Sequence, residues 1–154
     1  MRDRVRPPAD LEQSVLDRLK SDGIVETKQK GMMLAAAIGF HFSAESASEG
    51  KELDRAGEGI RLEYFQRARD AGFIDALAVT RSGDLHVLND NYLDRRIELF
   101  EKYAHAGLLE LQRVCYGGHE TPLDALLRLI DRTLAKPSDE LPGLEELSRL
   151  GDLV

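Results

Sequence analysis

The chain has 154 residues, a formal net charge of −7 and 32% charged residues. This length fits one globular domain, and the composition excludes a membrane protein, a collagen-like repeat and a fully disordered chain. The acidic balance argues against general coating of nucleic acid. The single cysteine, Cys115, excludes an internal disulfide and a cysteine zinc cage, and it favours a reducing compartment.

The apolar and charged segments also bear on location. The longest uncharged run, residues 31–44, is too short to span a bilayer. Residues 1–8 are basic, but a charged segment follows them instead of an apolar stretch, so no secretory signal is predicted. We therefore expect a cytoplasmic protein with no membrane contact.

The spacing of apolar residues predicts an all-α fold, a single compact bundle of about six helices with one long mobile loop. We expect a basic extended arm over residues 1–8 and a helical domain over residues 9–136. The loop covers residues 43–59, where Ser, Glu, Ala, Gly and Lys replace the apolar pattern. A tail with a short helix follows over residues 137–154.

The first two helices carry distinct end signals. Asp10 and Gln13 are spaced as a capping box at the start of the first helix, and Gly23 ends it. The second helix should begin near Thr27 and is apolar on all sides, which is typical of a central buried helix. Gly39 in its interior costs about 1 kcal/mol of helix propensity, which indicates that another helix crosses closely there.

The second half of the domain is predicted as further helices. Two short helices end at Gly72 and Gly83, and residues 85–88 fit a strand or a helix equally well. The strongest periodic signal covers residues 93–115, where Gly107 allows either a close helix crossing or a break. A capping threonine before Pro122 starts the last helix. Its predicted apolar stripe is Leu123, Leu126, Leu127, Ile130 and Leu134.

Catalytic chemistry has little support in the sequence. No phosphate-binding glycine loop, zinc-protease motif or nucleophile elbow is present. Cys115 lies in an apolar stripe, which favours a core position over a nucleophile. The remaining enzymatic hypothesis is a metal-dependent nuclease using Asp84, His86, Glu101 and His105, whose spacing is not that of a metal motif. We expect no catalytic residue, no cofactor and no metal.

A nucleic-acid hypothesis rests on five basic residues. Arg2, Arg4 and Arg6 alternate along the extended arm, and Lys28 and Lys30 lie near the start of the second helix. Such an arm can follow phosphates or a minor groove even on an acidic domain. The alternative is an ordinary frayed terminus, because aromatic residues for base stacking are missing there.

Several segments in order resemble one protein family. They are Arg2–Pro8 (RDRVRPP), Lys30–Phe40 (KGMMLAAAIGF), Gly59–Phe65 (GIRLEYF) and Leu99–Leu109 (LFEKYAHAGLL). Together they resemble the small Dnd system-associated proteins encoded beside bacterial DNA phosphorothioation genes, over roughly residues 2–115. The signature positions are Phe100, Glu101, Tyr103, Ala104, Gly107 and Leu108.

The resemblance implies a cellular context, in which sulfur replaces a non-bridging phosphate oxygen and associated restriction genes use the mark in anti-phage defence. It implies no catalytic signature. We therefore predict a non-enzymatic accessory protein that docks on larger protein components of a DNA-modification or restriction system; the alternative is a DNA reader or regulator. The expected docking surfaces are the 43–59 loop and the tail. The apolar residues of the tail could equally form the interface of a homodimer. The tail leucines are Leu141, Leu144, Leu147 and Leu150.

Overall fold

A two-residue β-ladder joins the N-terminal arm to the middle of the chain. The computed structural model describes residues 1–42 and 59–135. Strand β1 (Arg4–Val5) pairs antiparallel with β2 (Ile60–Arg61). The predicted loop at 43–59, apart from its last residue, and the predicted tail at 137–154 lie outside the described residues.

The first helix is continuous but changes its hydrogen-bonding pattern. Helix α1 (Ala9–Leu11) leads into a π-helical turn (Glu12–Leu16) and then into α2 (Asp17–Ser21). Pro8 occupies the N-cap position and no side chain caps the helix, so the predicted capping box is not formed. A proline fits this boundary because its missing N–H would have no partner in the helix.

The remaining elements confirm the all-α prediction. If the first helix is counted once, the described residues form six helices, and their only strands are β1 and β2. The later helices are α3 (Lys28–Phe42), α4 (Leu62–Arg67), α5 (Ala71–Ser82), α6 (Leu93–Tyr116) and α7 (Pro122–Ala135). Two 3-10 turns, Leu85–Leu88 and Asp90–Tyr92, connect α5 to α6.

Local capping signals set several of these boundaries. The hydroxyl of Thr27 accepts a hydrogen bond from the backbone N–H of Lys30 at 3.2 Å, as expected at the start of α3. Gly83 ends α5 at φ +69°, a left-handed conformation that glycine adopts without strain. The carboxylate of Asp84 accepts from the N–H of His86 at 2.9 Å. This cap resolves residues 85–88 as a 3-10 turn rather than a strand.

Helices α3 and α6 form the centre of the fold and touch backbone to backbone. A methyl group on Gly39 would lie 2.9 Å from the carbonyl carbon of Tyr103 and 3.0 Å from the N of Gly107. A methyl group on Gly107 would lie 2.9 Å from Cα of Ala35 and closer still to its carbonyl oxygen. Gly39 therefore serves the close crossing predicted for it, and Gly107 permits the same crossing without breaking α6.

The core surrounds this crossing. The ring of Phe100 meets those of Phe65 and Phe73 edge-on, with centroids 5.8 and 6.3 Å apart. The largest fully buried apolar side chains include Phe65, Phe100, Leu16, Leu19, Met32, Ile97, Leu108 and Leu111. Within residues 1–42 and 59–135, none of the helices has both the length and the apolarity to cross a membrane.

Candidate functional site

The basic arm is held on the domain by one buried carboxylate. Glu101, on α6, is only 1% exposed. Its two oxygens accept from Nη1 of Arg2 at 3.2 Å and from the backbone N–H of Arg6 at 3.0 Å. The backbone N–H of Arg2 also donates to Asp94 at 2.6 Å. A carboxylate this deeply buried requires such donors, so this signature residue acts as the anchor of the arm.

The three arginines of the arm lie around one cleft. Because side chains alternate along an extended backbone, Arg2, Arg4 and Arg6 project to the same side. They line a cleft of about 300 Å³ together with Asp3 and Glu101. Since the two carboxylates offset two of the three positive charges, the cleft is only mildly basic. We call it the arginine cleft.

The two lysines of the nucleic-acid hypothesis are not part of this cleft. Nζ of Lys28 lies 2.8 Å from Glu12 and 3.1 Å from Asp17. The hydrogen bond to Glu12 is the main reason why the pKa of Lys28 is raised. Nζ of Lys30 lies 2.7 Å from Asp70. Both lysines are therefore engaged in ion pairs that link the N-terminus of α3 to neighbouring helices.

Apart from Glu101, the signature residues serve packing. Phe100 belongs to the aromatic cluster, and the ring of Tyr103 meets Phe40 edge-on at 5.4 Å. Ala104 and Leu108 are fully buried, and Gly107 forms the crossing with α3. The Leu99–Leu109 motif thus encodes the helix crossing and the arm anchor.

Helix α7 carries more apolar surface than the rest of the described fold covers. Ala125, Leu126 and Leu129 are buried, so Leu126 is the only buried member of the predicted stripe. The exposed members are Leu123 at 52%, Leu127 at 50%, Ile130 at 40% and Leu134 at 78%. We call these four residues the α7 stripe. The sequence pattern located these apolar residues but did not separate the buried ones from the exposed ones.

A second cleft of about 500 Å³ lies between α5 and α6. Asp84 and His86, two residues of the metal-nuclease hypothesis, line it together with Arg81, Arg95 and Lys102. Glu101, the third, lines the arginine cleft instead. No group of three metal-ligating side chains occurs among the residues described by the structure. Asp84 and His86 therefore share a cleft, but the described fold does not bring the four residues of that hypothesis together as one metal site.

Arg96 has a structural role that the sequence pattern did not reveal. It is buried on α6, and its Nη1 donates to the carbonyl oxygens of Val87 at 2.6 Å and Asn89 at 2.9 Å. Its Nε lies 2.9 Å from a carboxylate oxygen of Asp75 on α5. The guanidinium of Arg96 thereby fixes the 3-10 segment between α5 and α6. In the sequence it is only one of two adjacent basic residues, Arg95 and Arg96, and nothing in that pair predicts a buried role.

Cys115 is a core thiol, as its place in the apolar stripe predicted. It is buried, and this burial is the main reason why its pKa is raised. The neighbouring Tyr116 hydroxyl donates to Asp22 at 2.8 Å, and burial likewise raises its pKa. A raised pKa leaves the thiol protonated near neutral pH, the opposite of what a nucleophilic cysteine needs.

These observations define the class of the protein. It is a small helical protein with a close central helix crossing, an anchored basic arm and, on its last described helix, an apolar face that the other described elements do not bury. A comparison with protein families then identifies it more narrowly. Residues 4–148 match the family of DNA sulphur modification system-associated protein 4, and the chain belongs to this family. The resemblance predicted for roughly residues 2–115 therefore extends through α7 into the tail. No curated protein and no solved structure matches the chain.

Proposed function

We propose that this chain is a non-enzymatic accessory protein that binds a larger protein component of a DNA sulphur modification system. Membership of the family supplies the association with that system. The observation that carries the docking role is the α7 stripe, four large aliphatic side chains that are each at least 40% exposed. Contiguous apolar surface of this kind marks protein-interaction sites, because leaving it in water is unfavourable.

The spacing of the α7 stripe fits helix-mediated docking. Residues 123, 127, 130 and 134 are separated by four, three and four positions, so they form one line along the helix. Fully burying one such side chain contributes about 1.5–3 kcal/mol. Because these side chains are already partly buried, covering each one contributes less than this value, and a specific partner must add contacts outside the stripe.

The test is a pull-down of the tagged protein from cells that carry the whole gene cluster. We expect the wild-type chain to retain a cluster-encoded protein and Leu127→Glu to retain at least tenfold less. Leu109→Glu is the matched control, because Leu109 is 42% exposed on α6, outside the α7 stripe. Capture of no cluster-encoded protein, or equal capture by all three forms, would contradict the proposal.

Contact with DNA is the second candidate, and the arginine cleft favours it. Arg4 and Arg6 line one concave surface where phosphate oxygens could be bound. Binding through these cations should weaken steeply with salt, because each neutralised phosphate releases counterions. Gel shifts at low salt with sulfur-modified and unmodified duplexes test this, and the variant Arg4→Ala with Arg6→Ala should bind more weakly. The absence of a shift at tens of micromolar protein would end this candidate.

A further inference from the structure

The α7 stripe is wider than a single helix contact can bury. It adjoins the face of α7 that packs against α6, where Leu126 and Leu129 are buried. The apolar surface of α7 is therefore wider than the contact with α6 can cover. The apolar stripe of a surface helix normally faces a packed core rather than solvent.

The segment that follows α7 in the chain has the composition and the length to cover the stripe. Its leucines recur at three-residue intervals, at positions 141, 144, 147 and 150. Residues 136–140, which contain Pro137, can extend over about 17 Å. Helix α7 has 14 residues and is therefore about 21 Å long. The connection is thus long enough for the segment 141–150 to turn back and lie against the stripe.

We propose that, in the free protein, the α7 stripe is covered by the chain's own segment 141–150. Covalent attachment gives this segment an effective concentration of about a millimolar, so it outcompetes a second copy at micromolar concentration. The family match continues to residue 148, so most of this segment belongs to the sequence that the family shares. The inference deepens the proposed function, since it names what a docking partner must displace from the same surface.

Cysteine cross-linking in the full-length protein tests this packing. The pair Leu127→Cys with Leu147→Cys is oxidised at about 5 µM protein, and the products are separated on a non-reducing gel. The native Cys115 can remain, because its thiol is buried. The control pair is Thr80→Cys with Leu147→Cys, since Thr80 is exposed on α5. Circular dichroism confirms that each variant is folded, and Ile130→Cys with Leu144→Cys is a second pair along the stripe.

The expected result is an intramolecular disulfide that forms at least tenfold faster from position 127 or 130 than from position 80. Equal rates from all positions would overturn the inference, because they would show a segment without a preferred site. Disulfide-linked dimers through position 127 would overturn it in favour of a second copy as the occupant. This experiment contains no partner protein, so its failure leaves the pull-down result intact, and a failed pull-down leaves the cross-linking result intact.

Discussion

Replacement of Gly107 by alanine tests whether the central crossing depends on backbone contact. The added methyl group would lie 2.9 Å from Cα of Ala35 and closer still to its carbonyl oxygen, whereas ordinary contact begins at 3.4 Å. Because both sides of the clash are backbone, no side-chain rotation can relieve it. Helices α3 and α6 would have to separate by about 1 Å or more, which would loosen the surrounding core.

The expected free-energy change has two parts of opposite sign. Alanine in place of glycine gains about 1 kcal/mol of helix propensity. Overpacking a close-packed core costs about 1–3 kcal/mol and sometimes more, and a rigid backbone clash falls at the upper end. We therefore expect a net loss of about 2 kcal/mol, which lowers the melting temperature by about 4–8 °C in a protein of this size.

Thermal and urea unfolding followed by circular dichroism measure this effect. The matched control is Gly72→Ala in α5, because a methyl group there would meet no atom within 4 Å. This control should be unchanged or more stable by up to about 1 kcal/mol. Gly39→Ala should lower the free energy of unfolding as Gly107→Ala does. The double variant should lose less free energy than the two single variants together, since one separation of α3 from α6 relieves both clashes. A Gly107→Ala protein as stable as wild type would refute the reasoning.

Three further predictions concern the anchored arm, the buried guanidinium and the response to alkaline pH. Glu101→Gln should lower the free energy of unfolding by about 1–2 kcal/mol and speed amide exchange in the arm. The control Glu110→Gln, at a more exposed ion pair, should change stability little. Equal effects of the two variants would argue against the anchor. Arg96→Lys should lower the free energy of unfolding by about 1–2 kcal/mol, because an ammonium cannot reproduce two directed hydrogen bonds and an ion pair from one planar group. Hydrogen exchange should show residues 85–92 opening, and protection equal to wild type would contradict this role. The pKa values of Cys115 and Tyr116 are raised in the folded protein, so their contribution to stability is present at neutral pH and is lost as pH rises. The free energy of unfolding, measured from about pH 8 to 11, should therefore fall above about pH 9. Tyr116→Phe should make this decline shallower. A wild-type stability that does not change with pH would contradict the link between these two pKa values and folding.

Much of the secondary structure could be predicted because helix ends follow local rules. Thr27, Gly83 and the Thr121–Pro122 pair mark boundaries that depend on hydrogen bonds and dihedral angles within a few residues. The prediction failed at Gly72, which lies in the first turn of α5 instead of ending a helix. It also failed at Asp10, where the helix begins directly after Pro8. A capping pattern and a proline start compete at that position, and the sequence alone does not decide between them.

The candidate site was less predictable, because it depends on which elements meet. The arm arginines were visible as a basic pattern, but their anchor on Glu101 joins residues almost 100 positions apart. The opposite charges of Lys28 and Glu12, by contrast, are close in sequence, yet only the packing of α3 against the first helix pairs them. Sequence spacing does not report such contacts.

The sequence by itself determined the helical character, most helix boundaries, the need for a close approach at Gly39 and the family to which the chain belongs. Only the tertiary structure decided that Gly107 supplies the other side of that approach, that Glu101 holds the arm and that the α7 stripe faces outward. The physical reason is that helical periodicity reveals which residues are apolar and share a face. Whether such a face is covered depends on where distant parts of the chain pack.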